Sequence, residues 1–163
     1  MLETLLRVAQ INIGYAKSLL KDLPDEQLCL VSSPGMNHPA WIIGHVSWAY
    51  DTIVVLLEQP PRTDEHWRSL FSNGTQAVAE RERYPSKQVL LDTFLATSQA
   101  AIEALRVAPD DVLARELPWP QFRRIMPTVG VAAANILTNH TTLHLGQLSA
   151  WRRLHGYPGV MRI

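Results

Sequence analysis

Apolar residues recur at every third or fourth position along four long segments of the chain, and this spacing is typical of amphipathic α-helices. The first predicted helix runs from about Leu2 to Leu23, where Pro24 ends it. The second follows Asn37, its expected N-cap, and continues through "HPAWIIGHVSWAYDTIVVLLEQ" until two consecutive prolines stop it. Each of these helices therefore has a face suited to packing in a core.

Two further long helices are predicted in the second half of the chain. The third begins after its expected cap, Ser86, and ends at Pro109, and a short helix from about Asp64 to Phe71 precedes it. The fourth runs from near Thr128 to about Leu154, and its predicted core positions are Ala133, Leu137, His140, His144, Gln147, Trp151 and Leu154. Between them, "LPWPQFRRIMP" contains too many prolines for a regular helix and predicts an ordered loop, either a lid or packing. Four helices of about 20 residues predict an all-α four-helix bundle in a single domain, residues 1–163.

Composition and charge exclude several classes of partner. Lysine plus arginine number 15 and aspartate plus glutamate number 15, whereas nucleic acids and anionic membranes attract a basic excess. No segment approaches the roughly 18 consecutive apolar residues of a membrane span, and the N-terminus lacks the pattern of a secretion signal. The single cysteine, Cys29, requires no oxidising compartment and has no basic neighbours that would make it a nucleophile. We therefore expect a soluble, cytoplasmic protein without a nucleic-acid or membrane partner.

Three histidines occupy predicted core positions. His140 and His144 are four residues apart, so both lie on one helix face at the spacing with which two imidazoles bind one metal ion. His45 lies on the predicted core face of the second helix. A buried polar ring without a partner costs about 1–3 kcal/mol. Either each ring has its own hydrogen-bond partner, or the three share a divalent metal ion, which would explain all of them together.

Three neutral imidazoles would leave Zn²⁺ or Ni²⁺ at least one open coordination position, as in catalytic sites. No second catalytic group is evident, because no glutamate follows a histidine as in an HExxH motif. Asp51 either turns towards the pocket mouth or is a solvated surface carboxylate, and we expect the second. Gln147 either orients a metal ligand or bonds to a neighbouring helix. His38, His66 and His155 are expected at the surface or at helix ends.

Two segments resemble the DinB-like superfamily: "WIIGHVSWAYD" around His45, and "NHTTLHLGQLSAWRRLHGYPG" in the fourth helix. The resemblance implies an up-down-down-up four-helix bundle with a His-x(n)-His-x3-His metal triad. That pattern corresponds here to His45, His140 and His144. Many members carry a second histidine in a WHxGH motif, and Ile42 occupies that position here. The substitution changes part of the expected pocket lining and leaves the triad intact.

The resemblance also implies a function, namely a divalent-metal-dependent enzyme that acts on a small-molecule substrate. Characterised relatives include transferases that use low-molecular-weight thiols, a thiol-dependent isomerase and proposed hydrolases. The prediction is thus a thiol transferase or small-substrate hydrolase with Zn²⁺ or Ni²⁺, and the alternative is a non-catalytic metal-binding or stress-response bundle protein. Relatives are commonly dimers, and small and apolar residues on the back face of the fourth helix favour a homodimer: Val131, Asn135, Thr138, Thr142, Leu145 and Ser149.

Overall fold

The computed structural model describes residues 2–160, and this part of the chain is helical, without strands. Its α-helices are α1 (Leu2–Leu20), α2 (Pro39–Leu56), α3 (Glu65–Phe71), α4 (Lys87–Val107), α5 (Asp110–Ala114), α6 (Val129–Asn135) and α7 (Thr141–Leu154). Short 3₁₀ turns cover Asp25–Gln27, Arg81–Arg83 and Pro120–Phe122. A π-helical turn, Ile136–His140, joins α6 to α7 in one continuous helix. None of the described helices has the length and apolar character needed to cross a membrane.

Four long helices form the bundle, with α6, the π turn and α7 acting together as the fourth. Both α1 and α2 pack against α4 and against the α6–α7 helix, and the most extensive packing is between α2 and α4. The prediction of an all-α bundle is confirmed, and these neighbours fit the up-down-down-up order. The inward faces meet in one apolar core to which every long helix contributes.

The helices begin at residues whose side chains accept a hydrogen bond from the first turn. Ser86 caps α4, as predicted, and Thr128, near which the fourth helix was predicted to start, caps α6. The prediction of Asn37 as the cap of α2 is wrong, because the cap is His38, whose Nδ1 accepts the backbone N–H of Trp41 at 3.2 Å. His38 is fully buried instead of lying at the surface.

Helix α2 is buried around almost its whole circumference, not along the single stripe that the sequence predicted. Fully buried residues outside that stripe are Ile43, Val46, Tyr50 and Ile53. Tyr50 of this set contacts Phe94 of α4, with ring centroids 6.0 Å apart. Helix α3 packs on α2 beside Gly44, where the Trp67 indole donates a hydrogen bond to the Gly44 carbonyl at 3.1 Å. A helix that is apolar all round is suited to such a position. The histidine of α2 therefore lies deep in the protein.

Candidate metal centre

The structure brings the three predicted histidines together in the interior of the bundle. His45 lies in the middle of α2, His140 ends the π turn, and His144 lies in the first turn of α7. The Nε2 atoms of His45 and His140 are 3.1 Å apart, and the ring centroid of His144 is 4.7 Å from that of His45 and 4.6 Å from that of His140. One nitrogen from each ring lies within 4.8 Å of the others, so the three could hold one metal ion.

The π turn places His140 beside the other two rings. Its wider turn leaves backbone carbonyls for side chains to satisfy. The Thr141 hydroxyl donates to the Ile136 carbonyl at 2.7 Å, and the Asn12 amide of α1 donates to the Leu137 carbonyl at 3.1 Å. Both donors are buried. A π turn is rare and often occurs at a functional site.

The extra residue of the π turn also corrects the predicted core face of α7. One residue corresponds to about 100° around a helix, so the buried face after the turn moves by one position. Leu148 and Arg152 are buried where Gln147 and Leu154 were expected, and Leu154 is 66% exposed. Leu145, predicted on the dimer face, is fully buried and belongs to the core.

Hydrogen bonds orient two of the three rings so that Nε2 points into the cluster. His45 Nδ1 lies 2.7 Å from the Phe71 carbonyl, which can only accept, so Nδ1 carries the proton. His144 Nδ1 lies 3.2 Å from Oε1 of Gln147, which in turn accepts from Asn37 at 3.4 Å. Each Nε2 therefore presents a lone pair, as it does in metal-ligating histidines. Of the two roles considered for Gln147, the contact with His144 supports ligand orientation.

His140 differs from the other two because its Nδ1 is buried without a hydrogen-bond partner. Its Nε2 lies 3.1 Å from Nε2 of His45, which carries no proton because the proton of that ring is on Nδ1. Three imidazole nitrogens that converge in this way, with one ring lacking any external partner, form a suitable donor set for Zn²⁺ or Ni²⁺.

Burial keeps the three imidazoles neutral. Desolvation lowers the pKa of His45. Desolvation, followed by the charges of His144 and His45, lowers the pKa of His140 to about 3. Desolvation, followed by the charge of His45, lowers the pKa of His144 to about 4. Near neutral pH the rings thus offer lone pairs, the protonation state in which histidine binds metal ions.

Two tryptophans hold the His45 ring between them. Trp41 stacks on it with ring centroids 4.5 Å apart and an interplanar angle of 10°, and Trp48 lies 5.5 Å away at 29°. Trp41 is itself fixed by its indole N–H, which donates to the Thr75 hydroxyl at 3.0 Å. Trp41 belongs to the core, whereas Trp48 is only partly buried and lines a cavity.

That cavity has a volume of about 1300 Å³ and extends from the side of α2 to His140. The proline-rich loop forms one of its walls through Trp119, Phe122, Ile125 and Met126. The sequence predicted that this loop is either a lid or packing over the bundle. In the structure it forms a side wall of the cavity next to the cluster. His140 is the member of the cluster that lines the cavity, so a molecule inside could reach it.

Asp51 is not the solvated surface carboxylate that the sequence predicted. It is 4% exposed, and its oxygens accept the backbone N–H groups of Arg62 and Thr63 at 2.7 and 3.0 Å and the Thr63 hydroxyl at 2.5 Å. The carboxylate therefore holds the loop before α3 in place. With its acceptor positions occupied by these donors, it is poorly suited to act as a general base.

The remaining candidates have structural surroundings. His66 is exposed, as expected, and His155 lies at the end of α7, stacked on Trp151 and 3.0 Å from the Ser32 hydroxyl. Burial raises the pKa of the Cys29 thiol to about 11, which agrees with its exclusion as a nucleophile.

Three groups that shape the centre were missed in the sequence: the Phe71 carbonyl, Asn12 and Asn37. A carbonyl acceptor has no sequence signal, since every residue supplies one. Asn12 did have a signal, because it interrupts the apolar stripe of α1 between Ala9 and Ala16. A buried asparagine at such a position needs a partner.

The fold and the cluster together define a helical bundle protein with a three-histidine centre, and the comparisons with known proteins agree. The family model of the DinB superfamily matches residues 12–148. This chain belongs to the DinB superfamily. A solved structure described as a conserved protein from Enterococcus faecalis is similar to it, with a TM-score of 0.73 and 17% sequence identity over 93% of this chain and 95% of that one. That likeness concerns the fold alone. A comparison with curated proteins gives no significant match.

Proposed function

We propose that this protein is a divalent-metal-dependent enzyme whose metal ligands are Nε2 of His45, His140 and His144. The observation that carries the proposal is the convergence of three neutral imidazoles, two buried and one half-buried, beside a large cavity. Zn²⁺ or Ni²⁺ suits this nitrogen donor set. Bound there, such an ion would act as a Lewis acid and lower the pKa of a thiol or of a water molecule.

The chain's own residues favour a thiol nucleophile over water. Among the described carboxylates that line the cavity, the buried one, Asp51, is held by the loop before α3, and the other four are exposed: Glu58, Asp64, Glu65 and Glu116. A free thiol has a pKa of about 8.5 and water one of 15.7, so the thiol requires far less help to lose its proton. We therefore place transfer of a low-molecular-weight thiol to a small-molecule electrophile first, and hydrolysis of a small substrate second.

Metal analysis of protein purified without a histidine tag tests the ligand assignment. The His140→Ala and His144→Ala variants should lose stoichiometric metal binding and keep the helical circular dichroism of the wild type. His66→Ala is the matched control, because His66 is exposed and distant in sequence from the cluster. It should bind metal as the wild type does. Full occupancy in either cluster variant would reject the assignment.

Cobalt substitution tests the type of reaction. The Co²⁺ protein should show a new near-ultraviolet charge-transfer band on addition of 2-mercaptoethanol, because direct sulfur coordination requires an open position. His45→Ala should lose the band. A Co²⁺ spectrum that does not respond to the thiol would reject thiol transfer and favour hydrolysis or the alternative, a non-catalytic metal-binding or stress-response role.

The proposal also includes assembly as a homodimer. On the helix face that was predicted to form the dimer contact, Leu145 is buried in the core. Val131 is 42% exposed and Thr142 is exposed, so both could contact a second copy of the chain. Light scattering at micromolar concentration should give the mass of a dimer. A monomer mass there would reject this part of the proposal without affecting the metal centre.

A further inference from the structure

The cavity beside the histidine cluster has one wall that is unusually well fixed for a loop. Residues 117–127 leave and rejoin the bundle at a single place, where the Leu117 N–H donates to the Pro127 carbonyl at 3.1 Å and the Val129 N–H to the Arg115 carbonyl at 2.9 Å. Inside the loop, the Arg123 guanidinium donates to the Leu117 carbonyl at 2.6 Å. A compact loop with joined ends often carries function. Residues 117–127 therefore form an ordered wall of the cavity, held by backbone and side-chain hydrogen bonds.

The cavity walls are rich in apolar side chains. Aromatic and aliphatic groups come from both α2 and the loop: Trp48, Val55, Trp119, Phe122, Ile125 and Met126. Two of these apolar side chains are largely open to solvent, Val55 at 47% exposed and Ile125 at 71% exposed. A ligand that covered them would remove apolar area from water, which is the main source of affinity in small-molecule sites.

Most of the charged groups around the cavity have partners in the protein. Its lining includes five carboxylates and two guanidinium groups. Glu58 forms an ion pair with Arg115, and Glu116 forms one with Arg123 at 2.8 Å. Asp64 accepts the Trp67 N–H at 2.8 Å as the cap of α3. Arg68, the other guanidinium of the lining, lies 3.7 Å from Glu65. The five carboxylates outnumber the two guanidinium groups, and this excess repels an anion.

We propose that the substrate of this site carries a bulky, uncharged apolar body, which lies in the cavity between α2 and the 117–127 loop with its reacting group beside His140. The inference rests on the proposed function, since it assigns the substrate of that same centre. A volume of about 1300 Å³ exceeds that of most small-ligand pockets, so the body is large. Aromatic walls from Trp48, Trp119 and Phe122 suit a flat ring system.

Two fluorescent dyes with the same ring skeleton test the chemical class. N-phenyl-1-naphthylamine is uncharged, and 8-anilinonaphthalene-1-sulfonate adds a sulfonate. The uncharged dye should bind to metal-free and Zn²⁺-loaded protein with enhanced emission. In the metal-free protein the sulfonated dye should bind at least about tenfold more weakly, because the excess of carboxylates in the cavity lining repels its sulfonate. Equal or tighter binding of the sulfonated dye would overturn the proposal.

Matched substitutions locate the dye. Ile125→Glu places an unpaired carboxylate in the cavity wall, and Ile11→Glu makes the same change at an isoleucine of α1 that is 64% exposed. Only Ile125→Glu should weaken the uncharged dye, by about tenfold or more. Equal effects of the two substitutions, or none, would overturn the proposed location.

The metal distinguishes failure of this inference from failure of the proposed function. Co²⁺ should quench the bound dye and Zn²⁺ should not, because quenching by Co²⁺ requires close approach to the cluster. If both ions bind and Co²⁺ does not quench, the inference fails and the metal centre stands. If the dye binds but neither ion does, the proposed function fails, and with it the assignment of the dye site as a substrate site.

Discussion

Replacement of Gly44 by alanine should weaken both the fold and the metal centre. A methyl group at this position would overlap the Phe71 ring, with the new Cβ 2.5 Å from Cζ and in contact with Cδ1 and Cε1 as well. The ring is fully buried and packs against Trp67 and Tyr84, with centroids 4.8 and 5.8 Å away. It cannot swing into solvent, so the helix or the ring must shift.

The magnitude follows from two opposing effects. Overpacking of a core costs about 1–3 kcal/mol, and replacement of glycine by alanine inside a helix contributes about 1 kcal/mol of stability. Gly14 in α1 provides a matched control, because its new methyl group would meet nothing within 4 Å. Gly14→Ala should therefore be stabilising, and Gly44→Ala should be less stable than it by about 1–3 kcal/mol, or roughly 2–12 °C in Tm.

The same substitution should reach the metal centre through the backbone. Phe71 supplies the carbonyl that accepts from His45 Nδ1, so displacement of this residue disturbs the orientation of a proposed ligand. Loss of such an outer partner typically weakens metal binding by about 10–100-fold. Urea unfolding of the metal-free protein and competition with a chromophoric chelator measure the two effects. Equal stabilisation by both alanines would refute the predicted clash, and unchanged metal affinity in an otherwise destabilised Gly44→Ala protein would refute the role of the carbonyl.

Three further predictions concern polar groups around the bundle. Burial lowers the pKa of His38 from 6.5, so below about pH 6.5 the unfolded chain binds a proton that the folded protein does not. The free energy of unfolding therefore decreases as the pH is lowered below about 6.5. His38→Asn keeps a capping oxygen for α2, and its urea-unfolding free energy should fall less than that of the wild type between pH 7 and 5; an identical decline would contradict this. The buried Arg152 guanidinium holds the pKa of Asp22 below 3.8, so the stability from this pair is present above that pH and is lost as the pH falls through the lower, folded value. Asp22→Asn should cost about 1–3 kcal/mol at pH 7, with a smaller difference from wild type in acid, and a constant difference would exclude the pair as its source. Finally, Gln147→Leu should weaken metal binding by about 10–100-fold and Gln147→Glu, which keeps the acceptor for His144, should not, whereas equal losses would indicate a packing role.

The helices were predictable because their signals are local. Apolar spacing, prolines and the caps Ser86 and Thr128 depend on residues within one or two turns. The phase of α7 was not predictable in this way. It depends on the π turn, which Asn12 stabilises through a hydrogen bond to the Leu137 carbonyl. The two residues are 125 positions apart in the chain. Such a contact exists only after the bundle has assembled.

Parts of the candidate site were also predictable from local signals. His140 and His144 were paired by their spacing, and His45 was added by its place on the predicted core face of the second helix, in agreement with the family resemblance. The orientation of the rings was beyond the sequence, because the Phe71 carbonyl acts through the backbone and not through the identity of its side chain. Asp51 was misplaced because its partners are backbone N–H groups of a loop, which no pattern of side chains reveals.

Three local departures from regular, low-energy structure lie at or beside the histidines. A glycine interrupts α2 next to His45, a π turn ends at His140, and the Nδ1 atom of that residue is buried without a partner. Each feature is unfavourable by itself: glycine weakens a helix, a π turn gives up regular hydrogen bonds, and an unsatisfied buried nitrogen loses its hydration. Natural sequences usually accept such conflicts at functional sites and avoid them elsewhere. The glycine admits the Phe71 ring, and with it the carbonyl that orients His45, while the π turn brings His140 to the same point. Both features thus serve one geometry, and the metal ion that we propose for this centre would account for the three costs together.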